Sequence, residues 1–317
     1  MKEILDYLKK YIREHFHLGL YTSVILFLAV ATYFNYLYDF EDSIIDSYKG
    51  SLWHWFYMTL FMGFPFLTIC AMTHWWGVEK TWIKSKEFWL LFLFGFLLIG
   101  LNRTFYLHHD WLKELPYIDM RFARTIAWRG KSFLLIFTPI MLFYYWYEKK
   151  RDATTDWYGL TLQNTDFKPY AILLIFVFVG IGCASFLSDL TNYYPRYLKS
   201  GGEAFAQKHE LGSWIPLSIY QATYGANFLN VELFFRGFLV IGFSRVLGGH
   251  AVLAMVGSYM FLHFGKPMTE AISSGFGGYL LGVLAFYSRR IWGGVVLHVA
   301  LAWFMELFAW LQKIYNS

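Results

Sequence analysis

Apolar residues in this chain come in long unbroken runs. They do not follow the alternation of a half-buried strand or the narrow stripe of a soluble helix. Leu18–Leu37 holds 20 residues without a charge, enough to cross a hydrocarbon core about 30 Å thick at about 1.5 Å per residue. Further apolar segments follow at Ser51–Thr73, Phe88–Leu101, Ser132–Tyr147, Tyr170–Leu187, Gly212–Val246, His250–Phe264, Ile272–Ser288 and Ile291–Leu311. Backbone groups in lipid must be satisfied within the spanning element, so runs of this length predict helices. The pattern predicts an all-α polytopic membrane protein of about eight to ten transmembrane helices. Phe88–Leu101 is short and is expected to extend past Asn102 and Arg103, with the arginine snorkelling to the interface. Ala29-Val30-Ala31 has the form of a signal-cleavage site, but the apolar run continues beyond it, which favours an anchor.

The polar stretches divide the chain. In residues 1–16, Ile4, Leu5, Leu8, Ile12 and Phe16 recur at helical spacing, with Lys2, Lys9, Lys10 and Arg13 between them. This predicts an interfacial amphipathic helix, a solvated basic tail being the alternative. Residues 17–165 are aromatic-rich membrane helices with no ionisable group expected at mid-membrane. Polar segments at Glu148–Lys168 and Ser188–Ser213 set off residues 170–317 as a second part. The basic stretch Asn102–Lys131 carries Trp111, Leu112, Leu115, Phe122 and Ala123 and is expected to be an interfacial or re-entrant helix. With it set apart, the excess of Lys and Arg places the N-terminus in the cytoplasm. The expected location is a bacterial plasma membrane.

Composition agrees. The chain is 57% hydrophobic, 22% aromatic and 15% charged, with mean hydropathy +0.38, against about 25% charged in soluble domains. A formal charge of +5 suits anionic headgroups of the lipid bilayer. The basic residues are scattered among apolar segments and give no case for nucleic acid. Cys70 and Cys183 lie in separate apolar segments and read as packing residues, not a disulfide.

Four ionisable groups stand out at apolar positions. Glu232 and Arg236 lie in Asn230-Val231-Glu232-Leu233-Phe234-Phe235-Arg236-Gly237, His263 in Tyr-Met-Phe-Leu-His-Phe-Gly, and His298 in Val-Val-Leu-His-Val-Ala. A charged group at bilayer depth costs roughly 3 kcal/mol on insertion scales, so such residues pair or face a polar cavity. Glu232 and Arg236 are four apart, hence on one helix face. A carboxylate and two histidines can accept and donate protons. The bland alternative is a helix-stabilising pair and two histidines bonded to neighbouring helices. Ser274, Gly278 and Gly282 form a ladder of small residues that permits close helix approach, as does Gly237. Pro267 disfavours helix at the residue before it, which puts His263 near a helix end. The His108-His109-Asp110 cluster reads as interfacial.

Val231-Glu232-Leu233-Phe234-Phe235-Arg236-Gly237, then Tyr259 four residues before His263, then His298, resemble the CPBP family. That family comprises CAAX prenyl endopeptidases, bacteriocin-processing proteins and Abi proteins. The resemblance covers about Tyr170–Leu311. It implies a helical membrane core with a CAAX-protease-like cavity, in which a glutamate and a histidine activate water for peptide hydrolysis. On the family pattern, Glu232 matches the second motif glutamate, partner of Arg236. His263 matches the water-activating histidine, and His298 the histidine that holds the oxyanion. The substrate implied is a peptide or membrane-protein terminus.

Three positions depart from that pattern. Val231 stands where the first glutamate is expected, Tyr259 replaces a phenylalanine, and Ala302 replaces the Asn or Asp one turn after His298. Asn227, one turn before Val231, and Glu306, farther along the His298–Ala302 stripe, are possible substitutes. The departures keep a second reading open, a non-catalytic relative acting as an immunity, binding or assembly factor. A third is a transporter or proton relay. No cofactor is expected. Glu232, His263 and His298 also have the ligand types of a catalytic zinc site, but no His-Glu-x-x-His run is present.

Overall fold

The computed structural model describes residues 2–151, 153–163 and 165–315, and among them the secondary structure is helical without a strand. The principal helices are α1 (Lys2–His15), α2 (Leu18–Tyr38), α3 (Leu52–Trp75), α4 (Lys86–Thr104), α5 (Tyr117–Ser132), α6 (Lys168–Ala184), α7 (Trp214–Glu232), α8 (Ala251–Phe261), α9 (Met268–Ser288) and α10 (Trp292–Tyr315). Seven helical stretches of the described residues are long and apolar enough to cross a membrane, and α6 is a shorter apolar helix. The protein is a polytopic helical membrane protein. Its chain forms two compact units. The first holds Met1–Thr104, Leu135–Thr165 and Glu232–Trp292; the second holds Phe105–Leu134, Asp166–Val231 and Gly293–Ser317. Each unit draws on both halves of the sequence.

In the first unit, α8 is the centre. It packs against α3 and α9, and all eleven of its residues are buried. The apolar run His250–Phe264 was expected to span. At 1.5 Å per residue, α8 alone covers about 16 Å; it closes the long apolar helical stretch Trp214–Phe261, which is of membrane-spanning composition. Gly248, at φ +56°, breaks the backbone ahead of it. The ladder of small residues does what its spacing implies. A Cβ on Gly278 would lie 3.0 Å from Tyr259 Cδ1, and one on Gly282 would lie 2.9 Å from Val252 Cγ1.

Past Glu232 the helix widens into a π-type coil, Leu233–Gly242, with all ten residues buried. In a coil bonded i→i+5, residues five apart stack on one face. Gly237 and Gly242 have that spacing, and both admit Tyr158. A Cβ at Gly237 would meet the Tyr158 carbonyl oxygen at 2.8 Å, and one at Gly242 would meet its ring at 2.9 Å. Just beyond, Arg245 pairs with Glu87 and with the fully buried Glu148, the latter through two nitrogens, one at 2.8 Å.

Helix α1 forms where its periodicity predicts. Ile4 and Tyr11 are buried, and Tyr11 donates a 2.8 Å hydrogen bond to the Gly249 carbonyl. Leu5, Ile12 and Phe16 stay exposed, as an interfacial face requires.

In the second unit, the basic stretch leads straight into an apolar helix: Tyr117–Glu148 is one continuous helical stretch, with α5 as its front half. Its cations are met by protein groups. Arg124 donates to the His109 carbonyl at 2.7 Å, Lys131 donates to the Phe105 carbonyl at 2.9 Å, and Lys131 Nζ sits over the Trp128 ring. Helices α7 and α10 approach closely at Gly225, where a Cβ would lie 3.3 Å from Trp303 and Val299.

Gly282→Val is expected to lower thermal stability in detergent by about 1–3 kcal/mol, the range for overpacking a tight contact. An unchanged melting temperature would show that α8 and α9 have room at this position.

Candidate active site

Glu232 ends α7 and Arg236 lies one turn into the wide coil. Both are 0% exposed, with Arg236 Nη1 3.0 Å from Glu232 Oε1. Removing a single partner from such a pair leaves a charge buried alone, which is why the two groups stand or fall together. The Arg236 guanidinium also lies over the Tyr259 ring, 4.2 Å from its centre. Tyr259 is nearly fully buried on α8 and packs edge-to-face against Phe235, ring centres 4.9 Å apart. It is the aromatic four residues before His263, and its position explains why that place takes a ring: the ring gives Arg236 a negative face.

His263 follows α8 in the turn before Pro267, at 8% exposure. Its ring packs on Tyr259 at 4.7 Å, and its Nδ1 lies 2.8 Å from the Tyr259 carbonyl oxygen. A carbonyl only accepts, so Nδ1 carries the proton in that bond. The lone pair of a neutral His263 is then on Nε2, the state a proton acceptor requires. Glu232, Arg236, Tyr259 and His263 thus form one group within the first unit, linked through Tyr259.

The second unit contains Asn227, His298, Ala302 and Glu306. His298, on α10, stacks nearly parallel on Phe228 of α7, with ring centres 5.6 Å apart and planes 6° apart. Phe228 continues through Tyr224 to Tyr220 as a column of rings at 5.3 and 5.9 Å. Ala302 is 0% exposed and is packed with Phe122, Tyr197, Tyr220 and Tyr224. The position where the family places a polar side chain is here part of an aromatic core. Glu306 is buried and accepts hydrogen bonds from the backbone N–H groups of Arg196 at 2.6 Å and Tyr197 at 3.1 Å. Its carboxylate therefore anchors the Arg196–Tyr197 backbone.

One polar residue was not singled out by sequence reasoning. Asn230 is 2% exposed, and neither of its amide atoms has a hydrogen-bond partner among the described residues; the Oδ1 of Asn227 is in the same condition. Leaving such a group unsatisfied costs about 1–3 kcal/mol. The spacing of Asn227 and Asn230, three residues apart on one face of α7, was the signal available in the sequence.

Residues 214–304 match the family model for the Rce1-like type II CAAX prenyl endopeptidases. The matched segment contains Asn227, Val231, Glu232, Arg236, Tyr259, His263, His298 and Ala302, and it ends before Glu306. The motifs that carry the CPBP resemblance lie inside it. No curated protein and no solved structure matches the chain.

Arg236→Ala is expected to destabilise the protein by about 3–5 kcal/mol, because the Glu232 carboxylate would stay buried without its cation. His298→Ala, which removes one ring from an aromatic stack, should melt within a few degrees of the parent. Thermal unfolding in detergent compares them, and equal melting temperatures for all three proteins would mean that Arg236 does not hold Glu232.

Proposed function

We propose that this chain is a membrane-embedded endopeptidase of the CPBP type that hydrolyses a peptide bond by water attack. In this reading Glu232 and His263 take the proton of the attacking water, with Nε2 of His263 as its first acceptor. Arg236 holds Glu232 in place through their buried pair. Tyr259 positions both Arg236, through its ring, and His263, through its carbonyl. The proton held on His263 then passes to the leaving amine. The observation that carries the reading is the bond from His263 Nδ1 to the Tyr259 carbonyl at 2.8 Å. It sets the tautomer that general-base chemistry needs, in a group that also contains a fully buried ion pair. The match to an Rce1-like family model supports the same chemistry. A largely apolar cavity of about 590 Å³, to which Phe261 and Phe264 on either side of His263 contribute, supports a substrate with an apolar anchor. The distribution of Lys and Arg supports a cytoplasmic N-terminus.

A second reading has an observation of its own. Ala302 lies in an aromatic core and Val231 replaces a motif glutamate, so two groups that the family pattern supplies are apolar here. This favours a relative that keeps the fold and binds a peptide without cleaving it.

His263→Ala is expected to lower peptide cleavage in proteoliposomes by at least about 100-fold, the lower end of general acid–base contributions. A variant that keeps parental activity would remove His263 from the reaction.

Restoring the family residues separates the two readings. If the parent cleaves, Val231→Glu should slow it, since a second carboxylate beside Glu232 crowds like charge next to the Arg236 pair. If the parent is inactive but its cavity is intact, Val231→Glu combined with Ala302→Asn should bring cleavage up from background. Silence from the parent, both single variants and the double variant, all folded and given a confirmed natural peptide partner, would establish the non-catalytic reading.

A further inference from the structure

The second unit contains a cavity of about 370 Å³ whose wall includes Arg124, Arg129, Arg196 and Lys199, together with Trp128 and Tyr220. No carboxylate lines it. Among the described residues none of these four cations is within ion-pair distance of an Asp or Glu side chain. Their positions are held by other means. Arg124 donates to the His109 carbonyl, and Lys199 donates to the Asn192 carbonyl at 3.2 Å. Arg129 lies 4.4 Å over the Tyr220 ring and 4.0 Å over the Tyr224 ring, and Arg196 lies 4.5 Å over the Tyr193 ring. The carboxylate whose field reaches both Arg129 and Arg196 is Glu306, and its oxygens are taken by two backbone N–H groups. The cations are thus held by neutral groups, and four positive charges converge on one concave surface whose wall carries no carboxylate.

Such a surface is matched by a multiply charged anion. A single carboxylate would leave most of the charge unbalanced, whereas phosphate oxygens accept from several guanidinium forks at once. We propose that this cavity binds a phosphate group, carried either by an anionic phospholipid headgroup or by a small soluble phosphate. Trp128, half-buried in the wall, provides the amphipathic ring that a headgroup at the membrane interface would meet. The site is separate from the peptidase reading and does not depend on it.

The test uses the full chain purified in detergent without phosphate buffers. Its binding of inorganic phosphate, of a short-chain phosphatidic acid, of the matching phosphatidylcholine and of a peptide with a free C-terminal carboxylate is measured by titration calorimetry. The expected result is binding of phosphatidic acid, inorganic phosphate or both, little binding of the zwitterionic lipid, and affinity at least about tenfold weaker in the Arg196→Gln/Lys199→Gln variant, since charge-assisted hydrogen bonds are lost. Tight phosphatidic acid with weak free phosphate identifies the headgroup as the source, and comparable affinities identify a soluble phosphate. Acetylation of Lys199 by an N-hydroxysuccinimide ester, followed by mass spectrometry in the parent protein, provides a reading that needs no variant: the bound ligand should slow it several-fold. No phosphate binding by either form, unchanged acetylation, or binding of the carboxylate peptide alone would overturn the proposal.

Discussion

The fold of the first unit depends on one requirement, that the charges of Glu232 and Arg236 be satisfied away from water. Both side chains are completely buried and lie 3.0 Å apart. Taking an ion out of water costs several kcal/mol, and the attraction between partners offsets this only when geometry and secondary contacts are good. The secondary contact is Tyr259, whose ring lies under Arg236. That places α8 beside the wide coil, and Gly278 of α9 lets the Tyr259 ring fit. Because His263 follows on the same segment and bonds to the Tyr259 carbonyl, the requirement that positions the ion pair also positions the candidate base. Stability and the proposed chemistry therefore share residues in this protein.

The two units treat charge differently. In the first, buried charges meet opposite charges: Glu232 with Arg236, Glu41 with Arg103, and Arg245 with Glu87 and Glu148. In the second, the cations of α5 and of the Arg196–Lys199 turn meet rings and carbonyls. Rings and carbonyls hold a cation in place without neutralising it, so the cavity of the second unit keeps its positive charge. This contrast is why an anion site is assigned to the second unit.

The departures from the family pattern have different physical consequences. Tyr for Phe at 259 keeps the ring and so keeps the contact with Arg236. Ala302 removes a polar side chain, and its place is closed by Phe122, Tyr197, Tyr220 and Tyr224. Glu306, which continues the same stripe of α10, is turned to the structural task of anchoring the Arg196–Tyr197 backbone. Asn227 and Asn230 keep amide groups buried on α7. The polar resources of the second unit are therefore distributed differently from the family pattern.

Much of this was legible in the chain itself. Hydropathy is a local property, so the spanning runs, the amphipathic α1 and the helical class follow from residues read in order. The Glu232–Arg236 pair is equally local, because four residues on a helix return to one face; so is the small-residue ladder of α9. What was not legible depends on partners far away in sequence. An apolar run does not reveal whether it meets lipid or protein, so the complete enclosure of α8 within His250–Phe264 could not be read from the chain. A basic stretch does not reveal which groups its cations will meet, so the carbonyls of His109 and Phe105 and the Trp128 ring that hold Arg124 and Lys131 could not be read from Asn102–Lys131. Nor could the bonds from the Arg196 and Tyr197 backbone to Glu306 be read from the stripe of α10. Spacing along one helix is fixed by its 3.6-residue turn, whereas contacts between distant segments are decided by packing, which exists only in the folded chain.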